Sequence, residues 1–279
     1  MIRVLVDTAA DYTVEEIRQK GLELVPIHIT IGGTDYRDAM DLSKTQFYEL
    51  LQANEEFPKT SQPTPQDFLE IFEDVKEKGD ELVCILLSSS LSGTCQSAML
   101  AKNMVEYENI YIVDSLTATH MIRVLADYGK KLADEGLNGR KIAEELDRLK
   151  SRVKVLAAVD TLEYLYKGGR LSKTSAMIGE MARIKPLITV SEEGKVVVAG
   201  KCLGKNKAVS ALLKTLGEKK MDPAFPIYSV YTCGEENVEV LEERMKAEGY
   251  EIAARQQIGA SIGAHVGPGV FGAVYVESL

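Results

Sequence analysis

Three polar turns and one histidine hold most of the chemistry available to this sequence. The turns are Asp7-Thr8-Ala9-Ala10-Asp11, Thr60-Ser61-Gln62-Pro63-Thr64-Pro65 and Ser88-Ser89-Ser90-Leu91-Ser92-Gly93-Thr94. In the third, four serines and a threonine surround a glycine where a helix is expected to begin, so hydroxyls and backbone amides can converge on an anion. The turn has no lysine or arginine and does not match the phosphate-cradling pattern GxxxxGKS/T, so its neutral donors suit one carboxylate better than a polyphosphate. The same hydroxyls also suit plain helix capping and turn formation. His265 lies within Gly259-Ala260-Ser261-Ile262-Gly263-Ala264-His265-Val266-Gly267-Pro268-Gly269. Glycines at this spacing let backbone pass close to a neighbour. An imidazole held there can donate to a carboxylate, with a charge state tunable near neutrality. His28, in an expected strand, and His120, at an expected helix start, lack such a setting and read as structural. Asp7, Ser92 and His265 together also offer the parts of a serine-type hydrolase, although neither GxSxG nor a nucleophile elbow surrounds Ser92.

These residues need a frame, and the hydrophobic pattern supplies one. Residues 2–7, 22–31, 81–88 and 109–114 read as strands, the third a continuous apolar run suited to burial on both faces. Helices are expected between them. Thr13 with Glu16 and Ser43 with Gln46 have capping-box spacing, Pro65 suits a first helical position, and helices follow over 93–105, 119–135 and 140–151. This alternation predicts a parallel sheet between helices, with the three polar turns beyond the carboxyl ends of strands, where α/β sheets bind ligands. Beyond about residue 155 the pattern changes. Strand 153–159, a helical stretch through Leu165, the break Lys167-Gly168-Gly169-Arg170 and a Met-rich helix over 174–184 come first. A hairpin over 186–191 and 195–201, two helix–strand pairs, a glycine-rich loop and strand 270–277 follow. The expected fold is α/β in two domains, an N-terminal α/β/α parallel sheet over 1–155 and a C-terminal mixed sheet covered by helices over 156–279.

Composition excludes several classes. The net charge of −9, the absence of tryptophan and only 6% aromatics argue against nucleic acid as a partner. No apolar run approaches the roughly 20 residues a spanning helix needs, and the opening MIRVLVDTAAD reads as strand and turn rather than as a signal core, so a cytoplasmic protein is expected. Cys84, Cys95, Cys202 and Cys233 form no CxxC pair, so neither a metal site nor a disulfide framework is expected.

Seven segments, read in order, make the sequence recognisable. They are DTAAD at 7–11, TSQPTP at 60–65, SSSLSGT with QSA over 88–98, VDS at 113–115, TLEYLYKGGRLS at 161–172, KPLI at 185–188 and GAHVGPGVFG at 263–272. The chain resembles the DegV family of fatty-acid-binding proteins, which includes the acyl-carrying subunit (FakB) of bacterial fatty acid kinase. The resemblance implies a buried tunnel for one long-chain fatty acid, its carboxylate held between two domains, and no other cofactor. Carried over by position, Thr60, Ser92 and His265 match the family's carboxylate-binding residues, with Ser61 and the amides near Gly93 as supporting donors. It also implies a partner, an ATP-dependent kinase resembling dihydroxyacetone kinases, that would phosphorylate the bound carboxylate for phospholipid synthesis. The chain itself would be a lipid-binding subunit with no catalytic residue. The stripe Met177, Ile178, Met181 and Ile184 recurs at helical spacing and reads first as a plain core face, with tunnel lining as the candidate functional role. Lys167, Arg170 and Lys173, with Lys201, Lys205 and Lys207 beyond the hairpin, are candidates for steering a partner, or simply a solvated face. Many family members carry an arginine after that hairpin where this chain has Lys201-Cys202-Leu203-Gly204. A fatty acid carrier or sensor without a kinase stays an alternative, as does the hydrolase.

Overall fold

The computed structural model describes residues 1–172 and 184–279. Four strands, β1 (Ile2–Asp7), β2 (Glu23–Val25), β6 (Glu81–Leu86) and β7 (Ile110–Asp114), form a wholly parallel sheet in the order β2-β1-β6-β7. Period-two alternation gives each strand two buried faces. Leu5 of β1 and Leu82, Cys84 and Leu86 of β6 pack under helices Pro65–Lys78 and Thr94–Val105 together with Phe68, Phe72 and Ala98. Val4, Val6, Val83 and Ile85 face the other way, against Ile122 and Leu125 of helix His120–Asp134 and Ile142 and Leu146 of helix Gly139–Leu149. Burial on both faces is why 81–88 reads as an unbroken apolar run.

The six-stranded sheet has the order β10-β9-β8-β13-β11-β12, from β8 (Val153–Ala158), β9 (Ile184–Val190), β10 (Val196–Leu203), β11 (Ile227–Tyr231), β12 (Ile252–Gln257) and β13 (Phe271–Val276). It is mixed: β11 and β12 run parallel, and its other neighbours run antiparallel. Leu156 and Ala158 turn toward helices Lys205–Gly217 and Glu236–Ala247. Val153, Val155 and Ala157 turn back into the core shared with the parallel sheet. Helix His120–Asp134 lies between the two sheets, so its residues from His120 to Ala126 are all buried. The expected α/β class, parallel sheet first and mixed sheet second, is the observed one. Residue 155, the expected domain boundary, falls inside β8.

Four local readings need correction. The strand expected over 22–31 is broken at Pro26, which cannot donate to a ladder. Its first part stays in the parallel sheet, and β3 (His28–Ile31) joins a separate three-stranded sheet, β4-β3-β5, with β4 (Thr34–Arg37) and β5 (Lys59–Ser61). Thr60 and Ser61 therefore lie within a strand rather than in a turn. The glycine-rich loop around His265 contains a helix, Ala260–Val266, between an extended Gly259 and a Gly267 at φ 73°. Glycine is needed at 263 in that helix because a Cβ would lie 2.6 Å from the Tyr48 hydroxyl and 2.9 Å from the Phe47 ring. The expected helix over 174–184, with Met177, Ile178 and Met181, lies outside the described residues save at its end. Ile184 is there, and it opens β9 rather than closing a helix.

Candidate functional site

Thr60 is placed by β5, where it pairs with Ile29 of β3. His265 sits in the last turn of helix Ala260–Val266. The strand and the helix meet so that Thr60 Oγ1 lies 2.7 Å from His265 Nε2, joining residues 205 positions apart in sequence. The imidazole is only 8% exposed. Its Nδ1 lies against Gly168, where a Cβ would approach to 2.2 Å, and has no hydrogen-bond partner among the described residues. That leaves Nε2 as the nitrogen able to meet a ligand. Burial, helped by the positive charge of Arg170, pulls the His265 pKa down to about 4, so the ring is neutral at pH 7.

The Thr60–His265 pair forms one wall of a small cleft. Its other polar walls are Ser92, Gln62, Arg170 and Ser261, and the rest is apolar, including Ile27, Leu87, Leu91, Leu165, Val196 and Ile262. Thr60, Arg170 and His265 also face outward, onto an open groove of about 1090 Å³ bounded by Phe57, Lys59, Tyr164 and Lys167. They thus stand between an apolar interior and solvent. A group with one polar end and a long apolar body fits such a boundary, with its polar end against the hydroxyls and the imidazole.

Ser92 reaches the cleft from the turn that precedes helix Thr94–Val105, where its hydroxyl lies 2.9 Å from Thr94 Oγ1. Gly93 opens room beside it. A Cβ there would come within 2.1 Å of Gln62 Oε1, and Gln62 in turn donates to Ser97 Oγ at 3.1 Å. Ser61 does not join this group. It alternates with Thr60 along β5, is exposed and pairs with His28 across the strands. Arg170 ties the turn that follows Gly168 and Gly169 to the serine turn, its Nε donating to the Leu91 carbonyl at 3.0 Å. Lys167 stays at the rim, paired with Glu163 at 2.9 Å and set 3.8 Å over the Phe57 ring. Lys173 is outside the described residues, and Lys201, Lys205 and Lys207 are exposed on β10 and the helix after it.

The parts of a serine hydrolase are present but not connected. Ser92 pairs with Thr94 rather than with His265, and His265 Nε2 is engaged by Thr60. Asp7 turns both oxygens to backbone amides, Leu87 N–H at 2.7 Å and Ala9 N–H at 2.9 Å, and orients no histidine. Burial still pushes its pKa up to about 7 against those two bonds. A nucleophile, its base and the acid that orients the base must be in mutual contact, and here they are not.

Sequence reasoning placed Arg170 only in a surface that could meet a partner, whereas the residue lines the cleft as well as the outward groove. It also passed over Gln62, Ser261 and the apolar walls. Gln62 and Ser261 lay inside motifs already marked. The walls come from six separate regions of the chain, around residues 27, 87–91, 118, 165, 196 and 262–266, which no local pattern brings together.

The profile of the DegV family, a family described as uncharacterised, matches residues 1–278. A DegV domain-containing protein of Caldanaerobacter subterraneus subsp. tengcongensis is 33% identical over 279 residues, covering 99% of both chains. A DegV family protein of Thermus thermophilus, solved for its fatty acid binding, is similar with TM-score 0.88 and 30% identity over 99% of each chain. A stearic acid-binding protein of Eubacterium ventriosum is similar with TM-score 0.88 and 25% identity, over 99% of this chain and 98% of that one. Among the described residues no helix is long and apolar enough to cross a membrane, and no group of three or more metal-binding side chains is found.

Proposed function

The chain belongs to the DegV family, and from that premise we propose that it binds one long-chain fatty acid in an interior tunnel. The carboxylate is held by Thr60, Ser92 and His265, where residues of the 1–155 and 156–279 units meet. The observation that carries this reading is the Thr60–His265 pair, at 2.7 Å, set at the mouth of an apolar cleft with Ser92 and Arg170 beside it. Related proteins described as binding fatty acids, one of them stearic acid, support the choice of ligand. The energetics agree. Each buried methylene contributes about 0.8 kcal/mol, against about 1.5–3 kcal/mol for a hydrogen bond to a charged group. The tail therefore supplies most of the affinity, and the polar end fixes the register of the chain.

The chain acts as a lipid-binding subunit, and chemistry on the exposed carboxylate belongs to a separate ATP-dependent kinase that forms an acyl phosphate. Two features of the site suit that division. The polar wall faces the open groove as well as the cleft, and Lys59 and Lys167 at the groove rim suit an acidic partner or its nucleotide. Native mass spectrometry of the purified protein, followed by extraction and identification of what it carries, tests the binding step. One fatty acid per chain, lost or weakened in the Thr60/Ser92/His265 triple alanine variant, is the expected result. A protein that arrives empty and takes up no added fatty acid overturns the reading. ATP consumption that needs both this protein and a candidate kinase separates a kinase subunit from a passive carrier.

A further inference from the structure

A closed ring of buried hydrogen bonds joins the segment before β3 to the helix that carries His265. Asp38 Oδ2 accepts from the backbone N–H of Ser261 at 2.9 Å and from the Ser261 hydroxyl. The Ser261 hydroxyl lies 3.1 Å from Thr8 Oγ1, which accepts the Ile27 N–H at 3.0 Å. The ring closes where the Asp38 N–H donates to the Ile27 carbonyl at 2.9 Å. Asp38, Thr8 and Ser261 are each 3% exposed or less.

The ring joins the two supports of the site. β3 starts at the residue after Ile27, and its Ile29 pairs with Thr60. Ser261 is four residues before His265, about one helical turn, so a shift at Ser261 is transmitted along the helix to the imidazole. Ile27 and Ser261 are themselves walls of the cleft. Ala39, beside Asp38, adopts φ 61°, an unusual conformation for a residue with a side chain, so this loop path is held by its surroundings. A buried carboxylate costs more than a neutral amide would. Its Oδ2 accepts from both Ser261 donors and so ties the start of the His265 helix to the Asp38 loop.

We propose that Asp38, acting through Thr8 and Ser261, is a positioning residue that sets the distance between Thr60 and His265 and so the affinity for a carboxylate ligand. The affinity part rests on the fatty acid reading above, while the geometric part does not.

The test is a double-mutant cycle on the full chain, with Asp38→Asn, His265→Gln and both together, read by stearate titration and by ¹⁵N NMR of the His265 ring without ligand. Asp38→Asn is expected to weaken stearate binding about tenfold in the native background and by under about twofold beside His265→Gln. It is also expected to move the His265 ring resonances. Equal losses in both backgrounds, or unmoved His265 resonances, overturn the proposal. Ser261→Ala keeps the backbone bond to Asp38 and serves if Asp38→Asn fails to fold, with the same coupling expected and the same results decisive against it. A native protein that takes no stearate refutes the fatty acid reading instead, and the His265 resonances then still decide whether the ring positions the imidazole.

Discussion

Replacing Thr60 with valine isolates the polar end of the site more cleanly than any truncation. Valine keeps the branched shape that suits β5 and its pairing with Ile29, and removes only the hydroxyl that meets His265 Nε2 at 2.7 Å. Losing one hydrogen bond to a charged carboxylate costs about 1.5–3 kcal/mol, which raises the dissociation constant about tenfold to about 150-fold. Binding is weakened rather than abolished. The 16 methylenes of stearate, at about 0.8 kcal/mol each, still contribute about 13 kcal/mol before the costs of ordering and association are subtracted. The free protein also changes. His265, at 8% exposure, loses the partner of its Nε2 while Nδ1 has none among the described residues, so stability should fall by about 1 kcal/mol. Calorimetric titration with stearate, beside thermal melts of the free protein, separates the two effects. A lowered melting temperature with a dissociation constant within about twofold of the native value would show that the pair is only structural, and would remove Thr60 from the carboxylate site.

Other perturbations probe the same geometry. Between protein and His265→Gln, the stability difference should shift against the native protein by about 3 kcal/mol as pH falls from 7.5 to 4. The sign follows from a folded pKa of about 4 below the ordinary 6.5. The unfolded chain takes up the proton first, so native stability is full above pH 6.5 and lost on the way down, and urea unfolding at several pH values checks it. Gly263→Ala should destabilise by about 1–3 kcal/mol, because the new methyl meets the buried Tyr48 hydroxyl and Phe47 ring, and it should weaken acid binding by displacing the His265 helix. Arg170→Leu should weaken stearate binding in the absence of any kinase and reduce its salt dependence, since Arg170 lines the cleft; an effect seen only with a kinase present would return Arg170 to a docking role alone.

Much of the frame follows from local pattern. Capping boxes at Thr13–Glu16 and Ser43–Gln46 begin helices where expected, because each satisfies exposed backbone donors with side chains three residues apart. Within the run 81–88, Glu81–Leu86 is a strand buried on both faces, and Ile110–Asp114 is its parallel neighbour, since apolar continuity reports burial wherever it occurs. His265 and the serine turn could also be picked out, because glycine spacing and clustered hydroxyls are rare enough locally to be noticed.

The sequence by itself thus determines the fold class, most elements and two of the polar groups that line the cleft. Only the tertiary structure decides that Thr60 points inward and Ser61 out, because that parity depends on β5 pairing with β3 in a small sheet with no strong apolar signature. It decides that His265 rides on a helix, since Gly263 looks like a loop residue until Phe47 and Tyr48 close against it. It also decides that Asp38, unremarkable in sequence, reaches Ser261 across 223 residues. Local patterns record what each segment needs of its own neighbours, whereas a binding site is made from contacts between segments that share no sequence window.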